Sequence, residues 1–171
     1  MRNEDALNNV AERVRSCTQC PLANVRTNAV PGEGPADARV MLVGQNPGSE
    51  EDRTGRPFVG RSGAYLDDVL TRQGIPRSAL FITSIVKCTS PGNRRPSNEE
   101  VAACMPYLEA QVTIISPSAI VALGRVAQMM PHYDEIEYIE TYHPAAAMRF
   151  PRFRSRFEND LLRVKTYVGS M

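Results

Sequence analysis

The chain of 171 residues is 42% hydrophobic and 23% charged, which excludes a disordered or collagen-like polypeptide and suits one globular domain over residues 1–171. Twenty basic against nineteen acidic residues leave a net charge of +1, so a globally basic nucleic-acid binder is excluded as well. No apolar run approaches the roughly 20 residues of a membrane helix, and the opening MRNEDALNNVAERVRS lacks an apolar signal core, so a cytoplasmic protein with no membrane partner is expected.

Ala6, Leu7, Val10 and Val14 recur at helical spacing and predict a helix over 4–16. The stretch from Pro21 to Asp37 is rich in Pro, Gly and Asn and reads as a long surface connection. Arg39 to Val43, closed by Gly44, is a short apolar run with the length of a buried strand. A charged, glycine-containing loop follows, then a helix over 61–73. Leu80 to Val86 predicts a second strand. Ser97-Asn98-Glu99-Glu100 has the capping-box pattern and starts a helix carrying Cys104. Ser118 to Leu123 predicts a third strand, stopped by Gly124. Ile136 to Thr141 predicts a fourth, with a helix from about Pro144. Strands alternating with helices imply an α/β fold: a single three-layer αβα domain around a central, mostly parallel four-stranded sheet.

Ligands of such sheets bind beyond the carboxyl ends of the strands. The segments there are Gly44-Gln45-Asn46-Pro47-Gly48, Ser84 to Cys88, and His143-Pro144. Each alone is weak: a G-x-x-P-G is most often a turn, and a His before Pro most often a loop residue. Their joint occurrence at strand ends carries the argument.

Four cysteines give a sharper signal. Cys17 and Cys20 form a C-x2-C that can bring two thiolates to one centre from a tight turn, and Cys88 and Cys104 can complete a four-sulfur set. Structural zinc and an iron–sulfur cluster both fit, zinc being favoured by spacing alone; four free buried cysteines are the plainer reading. Charge is unevenly spread: from His143 to Met171 six basic side chains stand against two acidic ones. That is compatible with a phosphate-gripping edge, although charge alone favours the simpler reading of a solvated helix face.

The same segments carry a family resemblance. C-T-Q-C-P-L, V-P-G-E-G, V-G-Q-N-P-G-S-E-E-D-R-T-G-R-P-F-V-G-R-S-G, I-V-K-C-T-S-P-G-N-R-R-P, P-S-A-I-V-A-L-G and Y-H-P-A-A-A-M-R occur in that order from residue 17 to the last helix. The chain resembles a family 4 uracil-DNA glycosylase, the iron–sulfur branch of the uracil-DNA glycosylase superfamily. The resemblance implies a 4Fe–4S cluster on Cys17, Cys20, Cys88 and Cys104, with a structural role. It implies a partner, DNA, and an activity, hydrolysis of the bond between a flipped base and its deoxyribose. Phe58 matches the family's stacking aromatic, and Gly44 and Gln45 belong to the same base-binding set. His143 matches the histidine that donates to the leaving base. Pro144 to Arg149 match the loop pressed into DNA, with Met148 as an apolar wedge and Arg149 as a phosphate contact. A monomer is implied; the family's sliding-clamp partner has no clear peptide motif here.

Two departures from the family pattern stand out. Where it has G-E-A-P-G, this chain has Gly44-Gln45-Asn46-Pro47-Gly48. A carboxylate is lost, and Asn46 falls where other branches position water. An amide orients water but is no general base near neutral pH. Asp52 is then the nearest carboxylate of the motif. The Asn that reads the uracil edge, before V-V-K-C in the family, is here Ser84. A hydroxyl replaces an amide, which weakens recognition of the base edge and leaves space. Uracil or a related damaged base is the expected substrate. A bulky, phage-type modified pyrimidine and a non-catalytic binder of flipped or abasic DNA are the competing readings.

Overall fold

A computed structural model describes residues 2–169. Strands Val40–Gly44 (β1), Phe81–Ser84 (β2), Ala119–Leu123 (β3) and Glu137–Thr141 (β4) form one sheet, all parallel, in the order β2-β1-β3-β4. The first three are buried along their whole length, β1 and β3 as continuous apolar runs and β2 with the polar Thr83 and Ser84 buried at its end, whereas β4 alternates at the edge. Side chains alternate between two cores: Met41, Val43, Ile120 and Ala122 face one, Val40, Leu42, Ala119 and Val121 the other.

Helix Arg2–Arg15 (α1) turns Leu7, Val10 and Val14 onto the first core. The segment after β1, read from sequence as a loop, contains a short helix, Ser49–Thr54 (α2). Its sequence SEEDRT has no apolar stripe, so periodicity cannot reveal it. Arg61–Arg72 (α3) covers the second core through Leu66, Val69 and Leu70. Asn98–Ile115 (α4) packs beside α1 on the first core and starts with both reciprocal bonds of a capping box, Glu100 N–H to Ser97 Oγ at 3.2 Å and Ser97 N–H to Glu100 Oε2 at 2.8 Å. The expected last helix is three: Pro144–Arg149 (α5), Pro151–Leu162 (α6) and Lys165–Val168 (α7). Pro151, lacking an N–H and restricting the residue before it, breaks α5 from α6.

Two other boundaries shift. The second strand ends at Ser84, yet the N–H groups of Ile85 and Val86 still reach Gly44 O and Gln45 O at 2.9 and 3.0 Å as the chain bends away. The connection before β1 is less exposed than its composition suggests. Val30 N–H donates to Lys87 O at 2.7 Å, Glu33 and Ile82 exchange bonds of 2.9 and 2.8 Å, and Ala29 and Val30 are buried. That segment satisfies the free edge of β2. No described helix is long and apolar enough to cross a membrane.

Candidate active site

β1 is central, with β2 on one side and β3 on the other, so its carboxyl end is the switch point of the sheet. A cavity of about 330 Å³ opens there. Gln45 to Gly48 after β1, Glu51 of α2, Pro57, Phe58 and Ser62, Ser84 of β2, Asn93, His143 and Ala145 line it. The structure thus brings together Gln45, Asn46, Phe58, Ser84 and His143, which four separate segments of sequence supply.

Phe58 is held in a demanding conformation. Its φ is +47°, a left-handed value that residues other than glycine rarely adopt, and the residue is 7% exposed. Two glycines make the seat: a Cβ on Gly44 would lie 2.5 Å from Phe58 Cζ, and one on Gly63 would collide with the Phe58 carbonyl. Arg77 clamps the same segment from outside, donating to Pro57 O at 2.6 Å, Phe58 O at 3.0 Å and Asp67 Oδ1 at 2.8 Å. Backbone strain of this kind persists only where surroundings over-determine it.

His143 caps α5: its Nδ1 accepts the N–H of Ala145 at 3.1 Å. Nδ1 therefore carries no proton, and in neutral imidazole the proton sits on Nε2. Burial holds the pKa down at about 4, with the Glu51 carboxylate opposing that shift. The ring lies 5.7 Å from that of Phe58, centroid to centroid. A neutral N–H donor thus stands beside an aromatic face.

Asn46 donates from Nδ2 to Ser90 Oγ at 3.2 Å and Pro47 O at 3.3 Å, and its Oδ1 accepts from Gln45 Nε2 at 3.0 Å. One lone pair of Oδ1 stays free for a water proton. The carboxylate in the cavity is Glu51 rather than Asp52. Asp52 Oδ1 accepts the N–H groups of Thr27 and Asn28 at 2.8 and 3.2 Å and lines no part of the cavity. Glu51 is 8% exposed; its Oε1 accepts from Val59 and Gly60 N–H at 3.1 and 3.0 Å. Oε2 accepts no hydrogen bond among the described residues. The distinction between two adjacent acidic residues depends on the turn of α2, which sequence spacing alone does not reveal.

Ser84 is 5% exposed, and its hydroxyl makes no hydrogen bond among the described residues. Its carbonyl accepts from Lys87 Nζ at 2.6 Å, and the same ammonium reaches Thr83 Oγ1 at 2.6 Å and Gln111 Oε1 at 2.8 Å. Burial lowers the Lys87 pKa to about 7. Asn93, on the loop before α4, brings a further amide to the cavity wall. Arg94 pins that loop by a two-bond contact to Glu100 at 2.9 and 2.7 Å, which holds the Glu100 carboxyl down at about 2. Pro144 is buried in the first turn of α5, Met148 is half-buried and Arg149 exposed, and none of these three lines the cavity.

All four cysteines line a second hollow on the first core, joining the end of α1, the loop after β2, and α4. Among the described residues no three His, Cys, Asp or Glu groups converge on a point as a single ion requires. The four thiols nonetheless line one hollow, and four thiolates drawn from three segments are the donor set of an iron–sulfur cluster or of a structural zinc. N–H groups already face sulfur: Arg26 Nη1 to Cys88 at 3.2 Å, Lys87 N to Cys104 at 3.2 Å and Gln19 N to Cys17 at 3.4 Å. Burial raises the Cys88 and Cys104 thiol pKa values, the latter to about 11, so both thiols rest protonated near neutral pH and ionising them, as thiolate ligation of a metal requires, carries a cost.

Residues 31–164 match the model of the uracil DNA glycosylase superfamily. The type-4 uracil-DNA glycosylase of Pyrobaculum aerophilum is 42% identical, over 91% of this chain and 91% of its own. That of Thermotoga maritima is 52% identical over 72% of this chain and 65% of its own. The crystal structure of wild-type SMUG2 from Pedobacter heparinus superposes with a TM-score of 0.54 at 14% identity, covering 75% of this chain and 74% of that one, and supports the fold. Motif order, sheet topology and these likenesses agree: the chain belongs to the type-4 uracil-DNA glycosylase family of the uracil-DNA glycosylase superfamily.

Proposed function

We propose that the base released by this DNA N-glycosylase is uracil, and that the pairing of Phe58 with the Nε2–H of His143 carries the activity. The flipped base stacks on Phe58 in the 330 Å³ cavity. As the glycosidic bond breaks, its electron pair leaves with the base and positive charge grows on the sugar. The His143 N–H, fixed by its bond to Ala145, donates to the developing base anion without having to be charged. Water adds to the sugar carbon through an oxygen lone pair and loses one proton, which by way of solvent ends on the released base anion, so that neutral base and abasic sugar result; the free lone pair of Asn46 Oδ1 and Oε2 of Glu51 are the acceptors that orient it. With the sugar already cationic, orientation matters more than basicity, so an amide suffices at position 46.

Cys17, Cys20, Cys88 and Cys104 are the residues that would hold a 4Fe–4S cluster, which when bound supplies a rigid cross-link between the N-terminal segment, the loop after β2 and α4. Arg26 orders this region through Cys88 Sγ and the carbonyls of Arg15 and Cys17 at 3.2 and 2.8 Å. Met148 and Arg149 on α5 are the residues proposed to meet the DNA beside the extruded nucleotide.

Ser84 favours a second reading, a larger substituted pyrimidine, because its side chain is shorter than the amide it replaces. The test is release of free uracil from a uracil-containing oligonucleotide, followed by alkaline cleavage of the abasic product. Release that is abolished in the absence of protein and slowed by His143→Ala supports the proposal; an uncleaved oligonucleotide contradicts it.

A further inference from the structure

A second cleft, of about 500 Å³, adjoins the base cavity, and His143 lines both. Its wall includes Arg125, Thr141, Tyr142, Phe153 and Arg156. Tyr142 and Phe153 stack with centroids 4.2 Å apart and 22° between planes. The Arg156 guanidinium lies 5.4 Å from the Tyr142 centroid, and that of Arg152 lies 4.8 Å from the centroid of Phe153.

The arrangement continues outward. Phe150, 40% exposed, meets Phe153 edge-on at 5.7 Å and carries Arg149 and Arg152 at 5.5 and 5.6 Å from its centroid. Arg125, Arg149 and Arg152 make no ion pair among the described residues. Glu140 also lines the cleft, 3.7 Å from His132, and Asp160 lies 3.6 Å from Arg156. Thr141, 4% exposed, has a hydroxyl without a partner.

Tyr142 and Phe153 cover one face of each other while the exposed Arg156 and Arg152 lie over the opposite faces, so a base stacks here on a guanidinium plane or on the ring face uncovered when that exposed side chain swings to the phosphate. Such stacking tolerates any base, but it needs an exposed base face, which a duplex covers with the neighbouring pair. We infer that this cleft seats an unpaired nucleotide flanking the flipped one, and that the protein therefore engages single-stranded DNA in preference to duplex. The inference rests on the glycosylase reading and deepens it. The shared His143 wall sets the geometry, since a nucleotide in the second cleft is next to one in the first.

Fluorescence anisotropy with single-stranded oligonucleotides tests it, the reaction position being a stabilised abasic site. The base on each flank is kept or replaced in turn by a second abasic spacer. Wild type is expected to bind about tenfold more weakly when one particular flanking base is removed, the scale of one base–aromatic stack. Phe153→Ala and the exposed Arg156→Gln are expected to bind more weakly and to show no such step. Duplex of the same sequence is expected to bind wild type at least about tenfold more weakly. A wild type indifferent to both flanking bases, or variants that keep the full step, would overturn the subsite. Equal binding of duplex and single strand would overturn the strand preference. These readouts need no catalysis, so failure to release any base, with the step intact, would count against the glycosylase reading and not against the cleft.

Discussion

The ring of His143 is fastened to the backbone of Ala145 through Nδ1, at 3.1 Å, so that only Nε2 can present a proton to the cavity. A side chain that is both helix cap and donor is positioned before substrate arrives. His143→Ala is expected to lower the single-turnover rate about 100- to 1,000-fold while leaving DNA affinity within a few-fold, the usual cost of one preorganised donor. Asn46→Ala is expected to behave likewise. Quench-flow sampling of both variants checks this, and wild-type rates in both would remove them from the chemistry.

The same burial sets a pH dependence. His143 has its pKa lowered from 6.5 to about 4, so the folded protein resists protonation that the unfolded chain accepts. The unfolded state binds more protons between those values, and stability falls as the pH drops from about 6.5 to 4. Glu100, held at about 2 against an ordinary 4.5, adds a further loss between about pH 4.5 and 2. Urea denaturation at stepped pH should show this acid slope. Base release should hold steady above about pH 5 as far as His143 is concerned and fall below it, since the neutral imidazole is the working form.

Phe58 depends on Arg77, whose guanidinium spans two carbonyls and the carboxylates of Asp67 and Glu33. Arg77→Met leaves those carbonyls without their donor and frees a residue held at φ +47°. A loss of roughly 2 kcal/mol in stability is expected. A fall of about tenfold in kcat/KM should accompany it, because Phe58, the proposed stacking platform, would misplace the base when displaced by a fraction of an ångström. Thermal denaturation and steady-state kinetics together check this; unchanged kinetics would detach Arg77 from the site.

Loss of a thiolate should be visible. Purified protein is expected to be brown from a 4Fe–4S centre, and Cys88→Ser or Cys104→Ser to bleach it and lower the melting temperature. Iron and sulfide analysis against zinc decides the metal. A colourless, active wild type holding one zinc would contradict the assignment.

Much of this frame was legible in residues 40–44 and 119–123, because unbroken apolar runs ended by Gly have few alternatives in a covered parallel sheet, and in the β-branched and aromatic run around 81–84. Strand ends, in turn, pointed to Gln45, Asn46, Ser84 and His143. What sequence concealed depends on contacts between distant segments. Glu51 and Asp52 are chemically alike and adjacent, yet the turn of α2 sends one into the cavity and the other to the Thr27 and Asn28 N–H groups. Arg77 and Lys87 look like ordinary cations until folding surrounds one with the Phe58 loop and buries the other against Ser84 O.

Ser84 is where the two substrate readings separate. If the hydroxyl only weakens recognition of the uracil edge, Ser84→Asn should raise uracil excision. If it makes room for a substituent, the same change should fill that room and cut activity on the larger base by about tenfold or more. The first outcome is expected. Rates on two oligonucleotides, one with uracil and one with a hydroxymethylated pyrimidine, distinguish them.

The most direct measurement is a single-turnover assay of wild-type protein on matched oligonucleotides carrying uracil, hypoxanthine, a hydroxymethylated pyrimidine and a glucosylated pyrimidine, scored by alkaline cleavage. Uracil is predicted to leave fastest, with the rate lost in His143→Ala. Efficient release of a modified pyrimidine alone, or of no base from any strand, would contradict the account.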